Sequence, residues 1–85
     1  MAVLRILIAD DHAVVRFGMA QLLNQQSDLV VCGEEESATN ALGAISKLKP
    51  DLVIADISLK DSSGLELMRE LRQRGSNLPG IAPRF

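Results

Sequence analysis

The sequence predicts an α/β protein built on a parallel sheet. Three observations point there: nearly continuous apolar runs rich in β-branched residues, segments of helical period between them, and the regular alternation of the two. Residues 3–9 form the first run, with Val3, Ile6 and Ile8 β-branched, and it stops at Asp10 and Asp11, as a strand buried on both faces would. Over residues 13–26, Val15, Met19, Leu22 and Leu23 recur at helical spacing, with Asp11 or His12 placed to cap the start. Residues 29–32 give a short second strand that ends at Gly33. Ser37 opens a second amphipathic helix through Ala38, Ala41, Leu42, Ile45 and Leu48, and Pro50 closes the connection after it. Residues 52–57 form a third apolar strand broken only by Asp56, and Leu65, Leu67, Met68 and Leu71 place a third helix over residues 64–74 before Gly75 stops it.

The pattern is therefore βαβαβα, whose right-handed crossovers put helices on both faces of the sheet. Residues 76–85 (SNLPGIAPRF) break the alternation, because Pro79, Gly80 and Pro83 are too closely spaced for a central strand.

Composition narrows the function. A length of 85 residues allows one small domain, and 47% hydrophobic with 24% charged residues is globular rather than disordered. A net charge of -2, with no Tyr or Trp, supplies neither attraction to phosphate backbones nor stacking platforms, so direct nucleic-acid binding is not expected. Cys32 alone cannot close an intramolecular disulfide; it is expected as a small buried hydrophobe. No apolar run approaches the ~18 residues of a membrane span, and the start of the chain does not resemble a signal peptide. A cytoplasmic protein without membrane association is the expectation.

The chemistry sits in three acids. In an open parallel sheet, ligands bind beyond the carboxyl ends of the strands. Asp10 and Asp11 end the first strand and Asp56 ends the third, so neighbouring strands would bring three carboxylates into one crevice. Three such charges repel one another unless a cation joins them, and oxygen ligands with retained waters suit Mg²⁺. One of the carboxylates could then serve as a nucleophile toward a phosphoryl group. The plainer reading is that each acid caps a following helix. His12 is expected to cap the first helix or face solvent, and Glu34, Glu35 and Glu36 to form a solvated acidic run.

Two stretches, LRILIADDHAVVRFGMAQLL and KPDLVIADISLKDSSGLELMRELR, resemble the receiver domains of two-component response regulators of the LuxR/FixJ type. The resemblance implies a flavodoxin-like (CheY-like) sheet of strand order 2-1-3. It also implies Asp56 as phosphoacceptor, Mg²⁺ held by Asp10, Asp11, Asp56 and the backbone carbonyl of Ser58, and Gly64 as the glycine that lets the loop turn into the third helix. The phosphodonor would be a sensor histidine kinase. Such a module is a phosphoacceptor that at most assists its own phosphorylation and dephosphorylation, not an enzyme in its own right.

The departures from the family shape further expectations. Lys60 stands where the family commonly has proline. A fourth strand ending in Ser or Thr, the lysine of a fifth strand, and a DNA-binding effector domain have no counterpart. Residues 1–79 are accordingly expected as a partial receiver and 80–85 as a tail foreign to the family, with phosphotransfer impaired by truncation. The alternative is a receiver fragment that no longer signals and acts as an interaction module. On that view strand 52–57 has one unpaired edge and helix 13–26 an uncovered face, either of which would support a homo-oligomer.

Overall fold

The computed structural model describes residues 3–56 and Arg69, together with the backbone of residues 81–84. The elements are β1 (Leu4–Ala9), α1 (Ala13–Asn24), β2 (Leu29–Glu35), α2 (Ala38–Leu48), β3 (Leu52–Asp56) and β4 (Ile81–Arg84). All pairings are parallel and the sheet order is β2-β1-β3-β4. The first three strands thus lie in the expected 2-1-3 order. The third helix over 64–74, Ser58 and Gly64 fall outside the described residues, apart from Arg69, which is helical.

The central strands are apolar on both faces because each face is covered. Leu7, Ala9, Val53 and Ala55 pack with Ala38, Ala41, Ala44 and Ile45 of α2. Ile6 and Ile8 turn the other way, toward Ala20, Met19 and Leu23 of α1 and toward Leu52 and Ile54. The period of two along β1 and β3 therefore separates two small cores.

Local chemistry fixes α2 at both ends. The Ser37 Oγ accepts a hydrogen bond from the Asn40 amide at 3.2 Å, and Lys49 closes the helix in the left-handed region at φ 51. The turn that follows is stitched to β1: the Asp51 amide donates to the Arg5 carbonyl at 2.8 Å, and the Arg5 amide donates to Asp51 Oδ2 at 2.9 Å.

Two expectations are corrected. β2 does not end at Gly33 but continues through Glu34 and Glu35, which pair with Ile8 and Ala9. A ladder needs backbone groups rather than apolar side chains, and β2 lies at the rim of the sheet, where acids reach water. The register slips between Ile6 and Leu7, so that Cys32 is passed over in a bulge and sits half-buried. Gly33 then faces Leu7, and a Cβ there would meet Leu48 Cδ1 at 2.8 Å and Leu7 Cδ1 at 2.9 Å. A Cβ here would push aside the ends of two leucine side chains, so glycine leaves α2 room to lie close over the strand.

The second correction concerns the third strand. β3 was expected to present an open edge, yet Val53, Ile54, Ala55 and Asp56 pair with Ile81, Ala82, Pro83 and Arg84 of β4. Residues 81–84, Pro83 among them, form a strand because they lie at the border of the described sheet, where a residue without an N–H is tolerated. The β3 edge accordingly offers no docking row to a second copy.

Candidate functional site: an acidic pocket at the ends of β1 and β3

β1 and β3 are adjacent and parallel, with Ala9 opposite Ala55, so the residues that follow, Asp10 and Asp56, come to the same end of the sheet. Both are buried, at 0% and 3% exposure. Asp11 is half-buried beside them. Burial of carboxylates beside an apolar sheet is costly unless partners compensate, and the surrounding backbone supplies some. The Asp10 amide donates to the Glu35 carbonyl at 2.9 Å, and Asp10 Oδ1 accepts the His12 amide at 2.8 Å, which folds the chain sharply between β1 and α1.

Two cationic or basic side chains close the pocket. Arg16, one turn into α1, donates from Nη1 to the Asp10 carbonyl at 2.6 Å, and its Nε lies 3.5 Å from Glu34 Oε1. The His12 ring places Nδ1 at 2.9 Å from Asp11 Oδ1, 3.3 Å from Asp10 Oδ1 and 3.7 Å from Asp56 Oδ2. One ligand atom from each of Asp10, Asp11, His12 and Asp56 lies within 4.8 Å of the others. Asp11 Oδ1 is sealed from water, with the His12 ring nitrogen 2.9 Å away as its ion-pair partner among the described residues. Three carboxylates gathered this closely form an oxygen donor set that fits a divalent cation such as Mg²⁺.

Of the residues singled out in the sequence, Asp10, Asp11 and Asp56 are brought together. His12 stands where expected, as the N-cap residue of α1 with most of its side chain facing water, although it makes no cap hydrogen bond and its Nδ1 reaches the acids. Arg16 was not singled out. Its only signal in the sequence is a cation placed one turn inside the helix that follows the acidic pair, and what it holds, a backbone carbonyl, has no sequence signature.

Comparison with known proteins agrees with this geometry. Residues 6–82 match the family described as "Response regulator receiver domain". The chain is 36% identical over 78 residues to the response regulator protein VraR of Staphylococcus aureus, a match covering 92% of this chain and 36% of that protein. The chain thus spans about a third of the length of the curated relatives it matches. Among solved structures, the non-phosphorylated receiver domain of the stress response regulator RcsB from Escherichia coli superposes with a TM-score of 0.86 at 28% identity, covering 98% of this chain and 65% of that one. The receiver domain of NarL from Mycobacterium tuberculosis gives a TM-score of 0.89 at 24% identity, over 98% of this chain and 66% of that one, a likeness of fold. With the parallel β2-β1-β3 core, the paired acids after β1 and the acid that ends β3, the chain belongs to the response regulator receiver domains of two-component signalling.

Proposed function

We propose that Asp56 accepts a phosphoryl group from the phosphohistidine of a sensor kinase, with Mg²⁺ held by Asp10, Asp11 and Asp56 and completed by the backbone carbonyl of Ser58. The observation that carries this reading is the convergence of three carboxylates, two of them buried, at the ends of β1 and β3. A carboxylate oxygen of Asp56 forms the new O–P bond as the N–P bond to the kinase imidazole breaks, and the electron pair of that bond returns to the imidazole nitrogen. The product is an acyl phosphate. When bound, the metal supplies positive charge that offsets the phosphoryl oxygens. The chain contributes position: the His12 amide on Asp10 Oδ1 and Arg16 on the Asp10 carbonyl hold the acidic pair toward Asp56. Gly64 would let the following loop turn into a third helix, and the setting is the bacterial cytoplasm.

Incubating the chain with acetyl phosphate tests this reading. The expected result is a mass gain of one phosphoryl group that needs Mg²⁺ and disappears in Asp56→Asn. Labelling that persists in that variant, or that ignores Mg²⁺, would overturn it.

A second reading, self-association, is favoured by the outer face of α1, where Val14, Phe17 and Leu22 are 86%, 59% and 65% exposed. A second copy of the chain is the occupant this reading commits to. Light scattering on Phe17→Glu beside the parent chain tests it: a dimer that dissociates supports it, and a parent chain monomeric at micromolar concentration removes it.

A further inference from the structure

Among the described residues, β2 is the outer strand on its side of the sheet. Its first half, Leu29 to Cys32, is an uncharged run with two valines, and Val30 is 39% exposed. An outer strand of that composition is a template on which another chain can pair. We propose that the Asn24 side chain guards this edge, occupying the Val31 amide so that a strand from a second copy of the chain does not add to β2.

Three observations lead to it. The first is the direction of the amides. The Leu29 amide donates to the Gln26 carbonyl at 3.4 Å and the Val31 amide donates to Asn24 Oδ1 at 2.9 Å. Two residues apart on a strand, these groups point the same way, and since neither goes to β1, both lie on the open side of β2. The second is the place of Asn24. It is the last residue of α1, and the turn after it, closed by the Gln26 amide on the Leu23 carbonyl at 3.1 Å, returns the chain along the start of β2. The exposed Asn24 amide group therefore stands in the lane, about 4.8 Å wide, that an added strand would fill.

The third is that the rest of the edge is closed by other means. The register slip at Cys32 breaks the even row of backbone groups, and Glu34 and Glu36 place exposed acids beyond it, so two copies meeting there would oppose like charges. The stretch from Leu29 to Val31 has neither bulge nor charge, and that is where Asn24 stands. Because its hydrogen bond lies in the open, water competes for both groups and the bond adds little to stability. What it decides is the partner of the Val31 donor.

The test uses the full chain carrying Phe17→Glu, which keeps the outer face of α1 out of any association. To it are added Asn24→Ala, Asn24→Asp, and Asn24→Ala together with Val30→Lys. Alanine favours a helix more than asparagine does, so α1 is preserved, and aspartate keeps the acceptor. Light scattering over a concentration series reads association, and amide exchange by NMR in dilute samples reads Val31. In Asn24→Ala, association is expected to tighten about 10-fold and the Val31 amide to exchange about 10-fold faster. Asn24→Asp should keep the Val31 amide protected and association at the level of the Phe17→Glu chain, and Val30→Lys should reverse the effect of Asn24→Ala by placing a charge on the edge. Unchanged association in Asn24→Ala, association that Val30→Lys does not reverse, or an Asn24→Asp chain that associates as tightly as Asn24→Ala would each overturn the inference.

Discussion

The two helices described in full, one on each face of the sheet, are built on different terms. α2 buries Ala38, Ala41, Ala44 and Ile45, is capped by the Ser37 hydroxyl, and ends in a left-handed turn stitched to β1. α1 buries Ala20, leaves Val14, Phe17 and Leu22 to water, and begins at a residue whose side chain caps nothing. Small residues let α2 lie close on Leu7, Ala9, Val53 and Ala55, so its sequence is devoted to packing. The first turn of α1 instead serves the pocket: the His12 ring lies against the acids and Arg16 holds the Asp10 carbonyl. Where a helix opens on a cluster of acids, local stability gives way to positioning.

The largest expected effect separates the two helices by charge. Ala41 is fully buried, so Ala41→Asp would place an unpaired carboxylate between α2 and the sheet and cost about 3–5 kcal/mol, enough to unfold a small domain. Phe17→Asp, on the exposed face of α1, should change stability by no more than about 0.5 kcal/mol. Thermal unfolding followed by circular dichroism checks both, and equal losses would erase the distinction. Next comes the contact of α2 with β2. Gly33→Val drives a side chain into Leu48 and Leu7 and should cost about 1–3 kcal/mol; a neutral result would mean that α2 can shift off the strand. The caps sharpen the contrast further. Ser37→Ala should cost about 1 kcal/mol, whereas His12→Ala has no cap bond to lose and gives up only a largely exposed contact with the acids, so its cost should be smaller.

The same division explains what could be anticipated from residues alone. α2 was legible down to its first cap because Ser37 and the Ala38, Ala41, Ile45 spacing obey rules that act within one helix. The site acids were legible because Asp10 and Asp56 interrupt apolar strands, a pattern that sheet topology converts into proximity. β4 was not, since Pro83 counts against a strand until its place at the border of the described sheet is known, and that place depends on residues 25 or more positions away. The run from Gly33 to Glu35 likewise looked like the end of a strand followed by a solvated acidic run, because pairing with β1 is a backbone property without a side-chain signature. His12 satisfied a local rule for helix starts while its ring answered to carboxylates on two strands, one of them 44 positions distant. Long-range electrostatics of that kind has no local pattern to betray it.

The smallest effect tests whether the Arg16 clamp depends on its ion pair. Arg16 makes two contacts, a 2.6 Å hydrogen bond from Nη1 to the Asp10 carbonyl and a 3.5 Å approach of Nε to Glu34 Oε1. The first is short, charge-assisted and largely shielded, since the Arg16 side chain is mostly buried. The second ends on a glutamate whose side chain is 41% exposed, where water competes with the pair and screening leaves little net gain. Glu34→Gln should therefore lower stability by no more than a few tenths of a kcal/mol and leave Mg²⁺-induced amide shifts at Asp10 and Asp11 unchanged, because the carbonyl still holds the guanidinium. Arg16→Gln removes the clamp itself and should disturb those shifts even where the fold survives. If Glu34→Gln alone alters them as strongly, the glutamate is what orients Arg16, and the pocket reaches across the sheet to the rim of β2.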